Sequence, residues 1–214
     1  DRLSQDSSPY VDALEEFVKI DRARWGIPGH QGSRLAQPLL ADYIGERALA
    51  RDFQTMIEGI DIGPDNALDK SLELAAQAWG SRRTWFLTNG SSQGNITAGL
   101  AIAGLRGSLV AQRSVHSSVI DALALSGLSA TFVAPDVDVE LGISHTVTPE
   151  RLDEALTADP NARAAIVVTP SYFGACADVA ALAEVAHRHH AALIVDEAWG
   201  AHLGFDPSLP MNAV

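Results

Sequence analysis

The stretch Ala192-Leu-Ile-Val-Asp-Glu-Ala-Trp-Gly-Ala-His202 sets four apolar residues directly before two acids and a glycine-containing turn. A short apolar run bounded in this way reads as a strand buried on both faces, as in a parallel sheet. A carboxylate at the end of such a strand is costly unless it meets a cation, a metal or hydrogen-bond donors. Asp196 therefore needs a partner, and the rest of the chain is read for what that partner could be.

Working backwards, similar runs recur at Thr84–Thr88, Leu109–Gln112, Thr131–Ala134 and Ala164–Val168, with helical patterns between them. Thr148 and Pro149 read as the start of a helix carrying Leu152, Ala155 and Leu156, and Asp178 as the start of one carrying Val179, Leu182, Ala183 and Ala186. Five strands alternating with helices predict an α/β chain, a three-layer α/β/α arrangement on a mainly parallel sheet. Upstream, Ser8-Pro9 opens a helix with Tyr10, Leu14, Phe17 and Val18 on one face. Trp25-Gly-Ile-Pro-Gly-His-Gln-Gly-Ser33 holds three glycines and a proline, which predicts a loop. Residues 34–65 show no clean period. Leu68, Leu72, Ala75, Ala76 and Trp79 predict a helix stopped by Gly80. The expected organisation is an N-terminal helical arm over residues 1–60 and a large domain over 61–214.

Composition narrows the function. With 47% hydrophobic and 20% charged residues the 214-residue chain is globular material, and its formal charge of -12 argues against a nucleic-acid partner. A single cysteine, Cys176, rules out an intrachain disulfide and a thiolate metal cage, which fits a cytoplasmic protein. No apolar run approaches the roughly 20 residues of a membrane span, and no secretory signal pattern opens the chain.

In an open parallel sheet, ligands bind beyond the carboxyl ends of the strands. There lies Asn89-Gly-Ser-Ser-Gln-Gly-Asn95, entering a helix with Ile96, Leu100 and Ala103. Free backbone N–H groups at a helix start, with glycine and hydroxyl donors, suit a phosphate, although an ordinary capped turn has the same sequence. For Asp196, a protonated pyridine nitrogen is one partner; magnesium is another, but no GxxxxGK[ST] accompanies it, and a structural turn-capping role is a third. His116, in Arg113-Ser-Val-His-Ser-Ser118, follows the second run and offers a flat face for stacking, or a plain cap. Thr169-Pro-Ser-Tyr-Phe-Gly174 follows the fourth. His187, His189 and His190 read as a solvated helix end rather than a metal site. Cys176 reads as a small buried residue.

Taken in order and spacing, Pro28-Gly-His-Gln-Gly32, the Asn89–Asn95 and Arg113–Ser118 stretches, Val168-Thr-Pro-Ser-Tyr172 and Val195-Asp-Glu-Ala-Trp-Gly-Ala-His202 resemble the ornithine/lysine/arginine decarboxylases over residues 25–214. These enzymes depend on pyridoxal 5'-phosphate and share the aspartate-aminotransferase-like fold. The resemblance implies that Gly90, Ser91, Ser92 and Gln93 hold the cofactor phosphate and that His116 stacks on the pyridine ring. It implies that Asp196 pairs with the ring nitrogen, that Ala198 packs on the opposite face and that Trp199 lies near the phenolic oxygen. His30 and His202 are expected at the substrate entrance. Gln31 and Ser117 stand where the family usually has lysine.

The resemblance also implies a cofactor-bearing lysine in a Ser-x-His-Lys stretch, one strand beyond Asp-Glu-Ala. The chain has only Lys19 and Lys70, neither in such a setting, so it is expected to be part of a truncated, cleaved or split protein. For the complete protein the expectation is decarboxylation of lysine, ornithine or arginine in a homo-oligomer, a dimer or higher. Transamination on the same scaffold and a non-catalytic assembly partner are the alternatives.

Overall fold

The computed structural model describes residues 3–20 and 25–214. The chain forms two compact units, residues 1–86 and 87–214. The helix stopped by Gly80, assigned from sequence to the large domain, packs within the first of them.

The first unit is helical. Helix α1 (Pro9–Lys19) starts on Pro9 as the sequence predicts. Helices α2 (Pro38–Ile44) and α3 (Glu46–Arg51) occupy the region without a clean period; at seven and six residues they are too short to display one. Helix α4 (Ala67–Trp79) is capped at its start by Asn66, whose side chain accepts from Asp69 N–H at 2.8 Å and donates to Asp69 Oδ2 at 2.8 Å. It ends on Gly80, left-handed at φ 75°. Helix α1 packs on α4, where Tyr10 N–H donates to Ser71 Oγ at 3.2 Å, and on α3, where Arg51 donates to Glu15; its Phe17 ring also meets that of Phe53, 4.3 Å between centroids.

The second unit contains α5 (Gly90–Ala103), β1 (Ser108–Gln112), α6 (Ser117–Ser126), β2 (Ala130–Val133), β3 (Val137–Asp138), β4 (Ile143–Ser144), α7 (Pro149–Ala158), β5 (Ala162–Val168), α8 (Val179–Arg188) and β6 (Ala192–Asp196). Four strands form a wholly parallel sheet in the order β2-β1-β5-β6. The antiparallel β3–β4 pair is a small hairpin apart from it, two residues a side and below what periodicity can reveal.

Side-chain alternation along the strands builds two cores. Val110, Ala165 and Val167 face Leu152 and Leu156 of α7 and Leu182, Val185 and Ala186 of α8. Leu109, Ala111, Ala164 and Ile166 face the other way, toward Ile102 of α5 and Val119 of α6. The result is the expected three-layer α/β/α arrangement. Leu152, Leu156 and Leu182 are fully buried, each contributing about 1.5–3 kcal/mol of apolar transfer energy.

One expected strand is absent. Residues 84–88 pair with no strand among the described residues, and Trp85, Phe86 and Leu87 are exposed. An apolar run shows what a segment would bury but supplies no hydrogen-bonding neighbour, and a strand needs both. No helix among the described residues is long and apolar enough to cross a membrane.

Candidate active site

The strand order places a switch point in the second unit. Strand β1 leads through α6 to β2 on one side, while β5 lies on the other side of β1. Crevices at such reversals, beyond the carboxyl ends of the strands, are the ligand sites of open α/β sheets.

Buried polar groups gather there. Gln112, Ser118, Thr169, Ser171 and Asp196 are all buried at the carboxyl ends of β1, β5 and β6 or just after them, and Asn95 of α5 is buried with them. Buried polar groups are tolerable only when hydrogen-bonded, and these are. Gln112 Oε1 accepts from Val168 N–H at 3.2 Å and its Nε2 donates to Ser114 at 2.8 Å. Thr169 N–H donates to Asp196 O at 3.1 Å, and its hydroxyl accepts from Ala177 N–H at 2.8 Å. The strand ends are thus stitched into one rim.

Asp196 is the last residue of β6 and only 7% exposed. Its Oδ1 accepts from Ala198 N–H at 3.0 Å and its Oδ2 from Asn95 Nδ2 at 2.8 Å. Two neutral donors leave lone pairs on both oxygens for a further partner.

His116 is the N-cap of α6. Its Nδ1 accepts from Ser118 N–H at 3.2 Å and lies 2.9 Å from Ser118 Oγ. The capping alternative raised by the sequence is therefore present, and the residue remains exposed. Ser118 Oγ is in turn 3.0 Å from Asn95 Nδ2. His116, Ser118, Asn95 and Asp196 form one connected network, whose two middle members the sequence reading did not single out. The available signal was Asn95 itself, a poor helix former within an otherwise apolar and small-residue helix.

At the start of α5, Gly90 has φ 65°, a left-handed conformation that glycine adopts without strain. Asn89 makes no side-chain cap; its own N–H instead donates to Gln93 Oε1 at 3.1 Å. The first-turn N–H groups of Gly90, Ser91 and Ser92 have no carbonyl partner within the helix by geometry, and Gly90 and Ser91 are exposed.

Past Asp196, Ala198 and Trp199 are exposed, and Trp199 meets Tyr172 edge-on at 5.8 Å. His202 is exposed on the same turn-rich segment. Glu197 has Oε2 bonded by Ala213 N–H at 3.2 Å, while its Oε1 is buried with no hydrogen-bond partner among the described residues. Burial pushes this carboxyl above its ordinary range, partly offset by that N–H. His30 belongs to the first unit, where it is buried, accepts from Gly32 N–H at 3.0 Å and lies 3.2 Å from Asp52 Oδ2.

The reading of one single residue changes. Cys176 is exposed, not buried, because it falls in the open turn between β5 and α8. His189 lies 2.8 Å from Asp153 Oδ1, joined there by Arg188; this acidic partner sits 36 positions away and left no local trace.

Residues 8–214 match the family described as Orn/Lys/Arg decarboxylase, major domain. The chain belongs to this family. It is 35% identical to the arginine decarboxylase of Bacillus subtilis (strain 168) over 214 residues, covering 99% of the chain and 44% of that protein. As an Orn/Lys/Arg decarboxylase family member it thus spans less than half of this relative's length. Its fold is similar to that of the Escherichia coli constitutive lysine decarboxylase, with a TM-score of 0.75, 21% identity and coverage of 94% of this chain and 30% of the other. Lysine decarboxylase A from Pseudomonas aeruginosa gives a TM-score of 0.76 at 24% identity, covering 92% and 29%.

Proposed function

We propose that this chain supplies the cofactor-cradling part of a pyridoxal-phosphate-dependent decarboxylase acting on a basic amino acid, lysine, ornithine or arginine. The observation that carries the proposal is Asp196: a buried carboxylate at the switch point, held by two neutral donors and with acceptor capacity left over.

The residues present fit the cofactor. Asp196 would hold the proton on the pyridine nitrogen, since an anion fixed in a low-dielectric rim favours the protonated ring. The uncapped first turn of α5, with Gly90, Ser91, Ser92 and Gln93, would take the phosphate on backbone and hydroxyl donors. His116 would lay its imidazole on one face of the ring, Ala198 would pack on the other, and Trp199 would flank the phenolic oxygen. When bound, the cofactor supplies an electron sink for the pair left behind as carbon dioxide departs. What the chain contributes is orientation and a fixed charge. No lysine occurs between residues 87 and 214, so the second unit itself offers only non-covalent contacts; Lys19 pairs with Glu16 and Lys70 with Asp65 in the first unit. His202 is proposed to act at the substrate entrance, and the working protein is proposed to be a homo-oligomer.

The test is carbon dioxide release by the full-length protein from arginine, lysine and ornithine, with keto-acid formation measured alongside. Release from one of the three without keto acid is expected, and Asp196→Ala should lower it by at least about 10²-fold. Keto acid as the main product, or an unaffected Asp196→Ala variant, would overturn the reading.

A further inference from the structure

We propose that Asn95 and Ser118 are positioning residues that impose a single direction on the hydrogen bonds between Asp196 and His116, and so fix which imidazole nitrogen of His116 carries the proton. The direction is set at the carboxylate. A carboxylate accepts and does not donate, so the group of Asn95 facing Asp196 Oδ2 at 2.8 Å must be the amide NH₂. The second hydrogen of that NH₂ has Ser118 Oγ as its partner at 3.0 Å. With one of its two lone pairs engaged by Asn95, the Ser118 hydroxyl directs its own hydrogen away from Asn95, and His116 Nδ1 stands 2.9 Å away. The Ser118 backbone N–H reaches the same nitrogen at 3.2 Å.

The backbone N–H makes Nδ1 an acceptor, and the hydroxyl hydrogen then has it as a partner. Asn95 donates at both ends, Ser118 passes the polarity on, and Nδ1 receives two donors and cannot itself carry hydrogen in the neutral ring. The neutral imidazole is confined to the Nε2–H form. Burial makes this binding: Asn95, Ser118 and Asp196 are all more than nine-tenths buried, so water does not scramble the order. The network spans α5, α6 and β6, three elements that no local sequence rule connects.

The use of this arrangement rests on the decarboxylase reading: it presents Nε2–H as the only polar hydrogen of a ring meant to stack, and holds the carboxylate meant for the ring nitrogen. The arrangement itself is tested without cofactor, so its failure is separate from failure of that reading, which carbon dioxide release decides.

The experiment is nitrogen-15 NMR of the histidine side chains in the full chain, with the imidazoles neutral and the His116 signals assigned by their loss in His116→Gln. In the unsubstituted chain His116 is expected as Nε2–H. Asn95→Asp places a carboxyl oxygen against Asp196 Oδ2, where the two acids share one proton, and the same oxygen accepts the Ser118 hydrogen and draws it away from His116. The Nδ1–H share of His116 should then rise by about fivefold, the worth of one hydrogen bond. Ser118→Ala removes the hydroxyl and should raise that share by a similar factor, and Asn95→Asp added to Ser118→Ala should change it no further. A merely structural role would leave the His116 tautomer alone while lowering stability. Should Asn95→Asp fail to fold, Ser118→Ala decides the matter. The proposal is overturned if His116 is Nδ1–H in the unsubstituted chain, or if a folded variant of either kind leaves its tautomer unchanged.

Discussion

Gly99 of α5 sits against Ala122 of α6 so closely that a Cβ placed on Gly99 would lie 2.7 Å from the Ala122 Cβ. That approach seats the α5–α6 layer on the sheet, and it keeps Asn95, one turn earlier on α5, within reach of Ser118 on α6.

The glycine is therefore expected to be required for packing rather than for backbone freedom. Gly99→Ala should destabilise the chain by about 1–3 kcal/mol through overpacking, even though alanine favours a helix by about 1 kcal/mol. Placed in an Ala122→Gly background the same substitution should cost nothing or stabilise. Urea midpoints of the single and double variants check this; an equal cost in both backgrounds would show that the two residues do not compete for the space.

Asp196 should matter to the fold as well as to the site. Asp196→Ala removes the acceptor for Asn95 Nδ2 and for Ala198 N–H, and Asn95 is buried. A buried donor left without its acceptor sets the expected loss at about 1–3 kcal/mol. Asp196→Asn keeps an oxygen for one of those donors and should lose less. Chemical denaturation of the two variants side by side gives the comparison, and equal losses would refute it.

How far the sequence reached is clear from these same residues. Asp196 was legible because a charged residue ending an apolar strand is costly and so conspicuous, and the α/β/α layering was legible because apolar runs and helical periods alternate. Asn95 and Ser118 were not, since their value lies in contacts 101 and 23 positions away that only the folded sheet creates. Residues 84–88 show the opposite failure, a convincing strand sequence with no partner strand among the described residues. Cys176 misled because cysteine is usually buried, whereas the turn after β5 holds this one in the open.

At the other end of the sheet, Asp153 accepts from His189 and Arg188, which together hold its carboxyl below the ordinary 3.8. A depressed carboxyl stabilises the fold above its unfolded value, and that contribution fades as pH falls through the lower folded value. Asp153→Asn should thus melt below the unsubstituted chain at about pH 5, with the gap closing under about pH 3.8. The Arg188–Asp153 pair is exposed and His189 half-buried, so part of the gap should shrink with added salt. A gap that persists unchanged into acid would mean that the ion pair is not its source.

Glu197 should behave in the reverse sense. Its Oε1 is enclosed without a partner among the described residues, and burial raises its carboxyl above the ordinary 4.5. The folded state then binds the proton more tightly than the unfolded one, so this residue stabilises the fold below 4.5 and that stabilisation is lost as pH rises through the folded value. Glu197→Gln cannot ionise and escapes the loss, while its amide oxygen can keep the bond from Ala213 N–H. The difference in melting temperature, variant minus unsubstituted, should therefore grow in the variant's favour between about pH 4 and about pH 7. If the unsubstituted chain gains on the variant over that range, a cation must be meeting the enclosed oxygen, and Glu197 would be one half of an ion pair rather than an unpaired acid.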